Sequence, residues 1–141
     1  MAGFLAAHAG VHPSADQRML GWVEEDRLVI VVGLSGFMGK IAVIHIAFAP
    51  GWHFSPRAML DAVFRYAFGE AKRELLIGLV NSKNDRAMRF DRHLGFTELF
   101  RLPEMHDDDG DLVVFGMRPD QCRYLNAEEK EDAHAVHVGL A

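Results

Sequence analysis

Asn84-Asp85-Arg86-Ala87-Met88-Arg89-Phe90-Asp91-Arg92-His93-Leu94-Gly95-Phe96 decides the fold of this chain. Asn84 is a strong helix N-cap, because its side-chain oxygen accepts a backbone N–H of the first turn. Asp85 in that turn suits the positive end of the helix dipole. Gly95 is the residue type that leaves a helix through a left-handed φ. Between them Ala87, Phe90 and Leu94 recur at helical spacing and form a core-facing stripe. The segment therefore predicts a helix from Asn84 to Gly95 and a strand beginning at Phe96.

Upstream, Leu75 to Val80 is almost wholly apolar, the pattern of a strand covered on both faces. Before it, Ser55-Pro56 predicts a helix start, with Ser55 as N-cap and Pro56 at the first helical position. Arg57, Asp61 and Arg65 make its polar stripe, and Leu60, Val63, Phe64 and Ala67 its buried one; the helix is expected to run past Gly69 to about Lys72. Ile41 to Phe48 reads as the strand before that helix. Strand, helix and strand at this spacing form a parallel crossover. Farther upstream, Trp22 to Glu25 and the β-branched run Leu28 to Leu34 read as strands, separated by turns at Glu25-Asp26-Arg27 and Ser35 to Lys40. Ser14 to Leu20 reads as a short helix capped by Ser14. Downstream, Phe96 to Leu102 and Asp111 to Met117 pair around a turn at His106 to Gly110. The expected fold is mixed α/β: a twisted sheet with an antiparallel N-terminal meander, a central parallel crossover and a C-terminal hairpin. The expected organisation is an N-terminal helical segment 1–20, one domain 21–125, and a polar tail 126–141 that is helical or disordered.

Bulk properties narrow the function classes. The chain has 141 residues, a net charge of −5 and a single cysteine, Cys122. The acidic balance argues against nucleic acid as the main ligand. One cysteine allows no intrachain disulfide and no cysteine-based zinc site, which suits a reducing compartment. The N-terminus lacks a basic region, so no signal peptide is expected. No stretch reaches the roughly 20 apolar residues of a membrane span. The expected location is the cytoplasm. Asp107, Asp108, Asp109 and Asp111 do not make an EF-hand, since Arg118 stands where the twelfth-position Glu belongs. His134 and His137 are too isolated for a metal site, and no metal is expected. Cys122 reads as a small buried hydrophobe.

Asn84, Ala87 and Leu94-Gly95-Phe96, with the strand order around them, resemble the GNAT superfamily of N-acyltransferases. That family carries Asn-x-x-Ala, a Tyr seven residues after the Asn, and Leu-Gly-Phe soon after. The runs Asp111 to Arg118 and Cys122 to Leu125 look like a bacterial and phage-associated subgroup. The resemblance covers roughly residues 21–125. It implies transfer of an acetyl or short acyl group from coenzyme A to a primary amine by direct attack in a ternary complex, with no covalent enzyme intermediate. It places the pantetheine arm of acetyl-CoA in a gap between Ile41–Phe48 and Leu75–Val80, pairing with backbone at Phe48 and Ala49. The pyrophosphate would meet the helix start at Ser55, helped by His53 and Arg57, because free N–H groups and the dipole there favour an anion. Asn84 would bond the coenzyme, besides capping its helix.

Two departures bear on the chemistry. By register Ser55 and Arg57 occupy the family's phosphate-loop glycine positions, and Pro56 removes a donor. Asp91 stands where the family often has the Tyr that protonates the leaving thiolate, so it must be protonated by burial to serve as an acid. His45 lies mid-strand, where the resemblance implies a general base; it reads equally as a histidine packed under a helix. Arg57 reads equally as a surface partner of Asp61. Trp52 and Phe54 either line an acceptor pocket or anchor their loop in the core. A GNAT-like binding protein or acyl-CoA sensor without catalysis is the alternative function. The acceptor would be a small-molecule or peptide amine. The shortage of N-terminal helical chain implies a partner subunit completing the pocket, hence a homodimer.

Overall fold

The computed structural model describes residues 1–11, 14–126 and 130. The elements run α1 (Ala2–Ala9), β1 (Arg18–Glu24), β2 (Arg27–Met38), β3 (Ile41–Phe48), α2 (Arg57–Phe64) continued by a π-helical stretch (Arg65–Glu70), β4 (Leu75–Asn81), α3 (Asp85–Leu94), β5 (Thr97–His106) and β6 (Gly110–Met117). One six-stranded sheet has the order β1-β2-β3-β4-β6-β5, with β3 and β4 its parallel pair. This is the mixed α/β architecture expected, with meander, crossover and terminal hairpin in place. Among the described residues no helix is long and apolar enough to cross a membrane. The expected tail, including His134 and His137, lies outside the described residues apart from Asn126 and Lys130.

Strand boundaries are wider than the sequence suggests. Ser14 to Leu20 is not a helix: Arg18 already pairs with Leu34, and Ser14 Oγ donates to Asp16 Oδ1 at 2.7 Å in a turn. The other Asp16 oxygen accepts the Phe37 N–H at 2.9 Å and pins that turn to β2. The only N-terminal helix among the described residues is α1, earlier in the chain. Ser35 to Lys40 is not all turn. β2 continues to Met38 through an irregularity in which Gly36 takes φ 59°. Ser55 is not the N-cap of α2. Pro56, at φ −61° and ψ 135°, holds that position without a side-chain cap, so the proline stands outside the helix it introduces. α3 ends as expected: Asn84 Oδ1 accepts the Ala87 N–H at 3.1 Å, and Gly95 has φ 113°. A Cβ at Gly95 would also lie 2.8 Å from the Gln121 carbonyl oxygen.

The main core lies between the sheet and the helices α2 and α3. Phe64, fully buried, stacks on Tyr124 at 5.4 Å and lies near Phe68 and Phe96. Buried Cys122 completes the strap that follows β6. Phe64→Ala is expected to destabilise the domain by about 3–5 kcal/mol, read as a lower urea midpoint. On the opposite face α1 covers β2 and β3 through Leu5, packed with Val31 and Ala47. Gly33 makes room for it, since a Cβ there would stand 2.7 Å from Leu5 Cδ1.

Candidate active site

The parallel pairing of β3 and β4 covers Ile41–Leu75, Ala42–Leu76 and Val43–Ile77 and then stops. β3 goes on to Phe48 while pairing only with β2, and β4 goes on to Asn81 while pairing only with β6. The facing edges therefore part beyond Val43 and Ile77, leaving backbone donors and acceptors turned toward a gap. A cavity of about 1030 Å³ opens there. That is at the top of the usual range for ligand pockets, roughly 300–1,000 Å³.

Strand alternation decides what faces the cavity from each side. Ile44 points toward the main core and Ala47 toward α1, so His45 shares the α1 side of the sheet with Ala47. The His45 ring is half-buried, and its Nε2 lies 3.3 Å from Ser35 Oγ. Burial lowers its pKa below the ordinary 6.5, favouring the neutral base. Asp91 reaches the cavity from α3 on the other side. It passes over Gly78, where a Cβ would stand 3.3 Å from Asp91 Oδ2. Burial pushes its carboxyl up to about 7, and desolvation is the sole cause identified. A base and a protonatable acid thus line one cavity from opposite faces, and only the split in the sheet lets them share it.

Of the other residues expected at the site, Phe48, His53 and Asn84 line the cavity, whereas Ala49, Ser55 and Arg57 do not. Arg57 is engaged elsewhere. Its Nε donates to Asp61 Oδ1 at 3.1 Å, its Nη2 to the Arg123 carbonyl at 3.4 Å, and its guanidinium lies 5.0 Å from the Tyr124 ring. The guanidinium that reaches the cavity is that of Arg86, in contact with His53 Nδ1. An exposed arginine on the first turn of a helix carries no local signal of this role; its place two residues after the cap was the available cue. Ala87 and Phe90, read as core, pack against the core and, half-buried, also wall the cavity; Phe90 meets Phe48 edge-on at 5.6 Å. Met88 and Leu94 are the buried side of α3. Trp52 is anchored, its Nε1 donating to the Phe54 carbonyl at 2.6 Å, and Phe54 is 64% exposed. Neither lines the cavity. Residues Ala6 to Ala9 of α1 and its capping Gly10 supply one wall from within the chain.

No protein-family model matches the sequence, and no curated protein matches it. Solved structures do match. A spermidine/spermine N-acetyltransferase SpeG from Vibrio cholerae, in complex with manganese ions, shares 22% identity over 79% of this chain and 69% of that one, with a TM-score of 0.64. A mutant of the spermidine N-acetyltransferase SpeG from the same organism shares 21% identity over 81% of this chain and 70% of that one, with a TM-score of 0.66. The chain has the GNAT fold. At this identity the likeness establishes architecture, and the GNAT strand order, crossover and split sheet are all present.

Proposed function

We propose that this GNAT-fold protein transfers an acetyl or short acyl group from coenzyme A to a primary amine. The observation that carries the reading is the split between β3 and β4 with His45 and Asp91 on its two faces. The pantetheine arm lies along the exposed edges beyond Val43 and Ile77, pairing with backbone at Phe48 as a short added strand; Ala49, the other expected contact, gives its N–H to the Val29 carbonyl at 2.8 Å and is turned toward β2. Asn84, at the start of α3, bonds the same arm while keeping its cap. Gly78 keeps the floor clear for the thioester.

The amine attacks the thioester carbonyl carbon directly. The C–N bond forms, the C–S bond breaks, and the thiolate leaves. His45, a neutral base because it is buried, collects the proton from the amine nitrogen. Asp91, protonated over part of the neutral range because it is buried, gives its proton to the thiolate sulfur. Solvent then restores both groups. Holding acetyl-CoA and amine together supplies the proximity the reaction needs.

The phosphates fall to Arg86 and His53 more than to the start of α2. There the proline cap, the engaged Arg57 and the position of Ser55 outside the cavity leave little to hold them. Arg86→Gln is expected to weaken acetyl-CoA binding about tenfold and to flatten its salt dependence, both read by calorimetric titration. The expected homodimer has a candidate surface in the sheet face carrying Leu99, Phe100 and Leu102, which are 47%, 52% and 41% exposed; light scattering that gives a monomer removes it.

The test of function is release of the coenzyme A thiol when the protein is mixed with acetyl-CoA and a panel of primary amines, spermidine and a short peptide among them. Amine-dependent thiol release supports the transferase. Tight binding without release for any amine favours the sensor reading.

A further inference from the structure

The structure builds a second histidine into the cavity, at the C-terminal end of β4. His106 closes β5, pairs with Gly110 across the hairpin and lines the cavity. Its Nδ1 lies 3.2 Å from Asn81 Nδ2 and accepts the Asp108 backbone N–H at 3.1 Å. The Asn81 amide is itself oriented, because its Oδ1 accepts the Lys83 N–H at 2.9 Å. That leaves the NH2 group to face the ring, so Nδ1 is an acceptor twice over. The neutral imidazole then carries its proton on Nε2. Gly110 is part of the device: a Cβ there would fall 2.0 Å from Asn81 Oδ1, so any other residue displaces the amide that holds His106.

A ring fixed in this tautomer offers the cavity an N–H donor and no free acceptor. It cannot take a proton from an amine, so it does not duplicate His45. It recognises oxygen. Lys83, whose ammonium pairs with Asp109 at 3.4 Å, lines the same end of the cavity and adds a second donor. Asp108 lines it too and suits the ammonium of the same molecule. We propose that His106 Nε2–H, with Lys83, binds a carbonyl or carboxylate oxygen of the amine acceptor. The acceptor class is then an amino acid or peptide N-terminus and not a polyamine. An alkyl polyammonium presents only donors, leaves the His106 N–H without an acceptor and meets the Lys83 ammonium as a like charge. The inference rests on the transferase reading for the meaning of "acceptor", but its binding test does not depend on turnover.

Long-range ¹H–¹⁵N spectra of the histidine rings, with His106→Gln to assign the signal, read the tautomer directly. The expected result is a His106 ring protonated at Nε2. Its resonance shifts saturably on titration with glycylglycine and not with 1,4-diaminobutane at the same concentrations. Gly110→Ala is expected to release the tautomer and to weaken glycylglycine binding about tenfold while thermal unfolding stays cooperative. A His106 proton on Nδ1, an equal response to diaminobutane, or no response to glycylglycine overturns the proposal. Glycylglycine binding at His106 in a protein that takes no acetyl-CoA would uphold this site and sink the transferase. Acetyl transfer with a silent His106 would do the reverse.

Discussion

Asp91→Asn is expected to lower acetyl transfer by about 10²–10⁴-fold, the usual worth of a general acid, while making the fold more stable above neutrality. Both effects come from one desolvated carboxyl. Unfolded, it titrates near the ordinary 3.8; folded, burial holds it at about 7. Between those values the native state binds more protons than the unfolded state, so stability falls as pH rises through that window. Above about 7 the charged carboxylate is buried in both resting and working protein, and the penalty is complete. Asparagine keeps the shape and cannot ionise. Urea unfolding should therefore show no gain for the variant near pH 4 and a gain on the order of 2–4 kcal/mol at pH 8. In the wild type the same titration sets an alkaline limb near pH 7 in kcat/KM, and the variant's residual activity should lack it. Full activity in Asp91→Asn would remove the carboxyl from the chemistry.

His45→Gln should cost about 10²-fold or more in kcat with acetyl-CoA affinity unchanged, because the histidine meets the amine and not the coenzyme. Burial lowers the His45 pKa below 6.5, so the acid limb of the wild-type profile lies below that value and should vanish in the variant. With a base that titrates below 6.5 and an acid that titrates at about 7, most molecules hold both groups in the working state only between those two titrations. Glutamine retains a hydrogen-bonding amide for Ser35, so a folded but slow variant is the expected outcome. A rate within two- or threefold of wild type would make His45 a packed strand residue only.

The parts of the fold that local chemistry writes were readable in the sequence. Asn84 and Gly95 bracket α3 because capping and the left-handed exit are interactions within a few residues. Ile41 to Phe48 was bounded correctly because its apolar run ends in Pro50-Gly51. Readings failed where partners lie far apart in the chain. Arg18 to Glu24 is a strand because β2 pairs with it, and nothing within residues 14–20 says so. A helix was expected within residues 1–20 but at Ser14 to Leu20; the alanines of α1 are apolar all round and give no amphipathic period to locate it, and it is placed by Leu5 fitting over Gly33. At the site, His45 and Asp91 were legible as residue types at suggestive places, but their meeting across a split sheet was not. The Ala87–Phe90 side of α3 showed the periodicity of core and does pack against the core, but it also walls a cavity, since spacing reports burial and not what fills the remaining space. Arg86 and His106 were invisible as cavity residues, because their contacts there, His53 and Asn81, are distant in sequence.

The central claim is that the split between β3 and β4 is a coenzyme site. Calorimetric titration of acetyl-CoA into the protein at pH 6.8 tests it most directly. The account predicts saturable heat with one site per chain and micromolar affinity, and loss of that heat in Gly78→Leu, which fills the floor beneath Asp91. No heat with acetyl-CoA or with longer acyl-CoAs, or undiminished binding in Gly78→Leu, would contradict it.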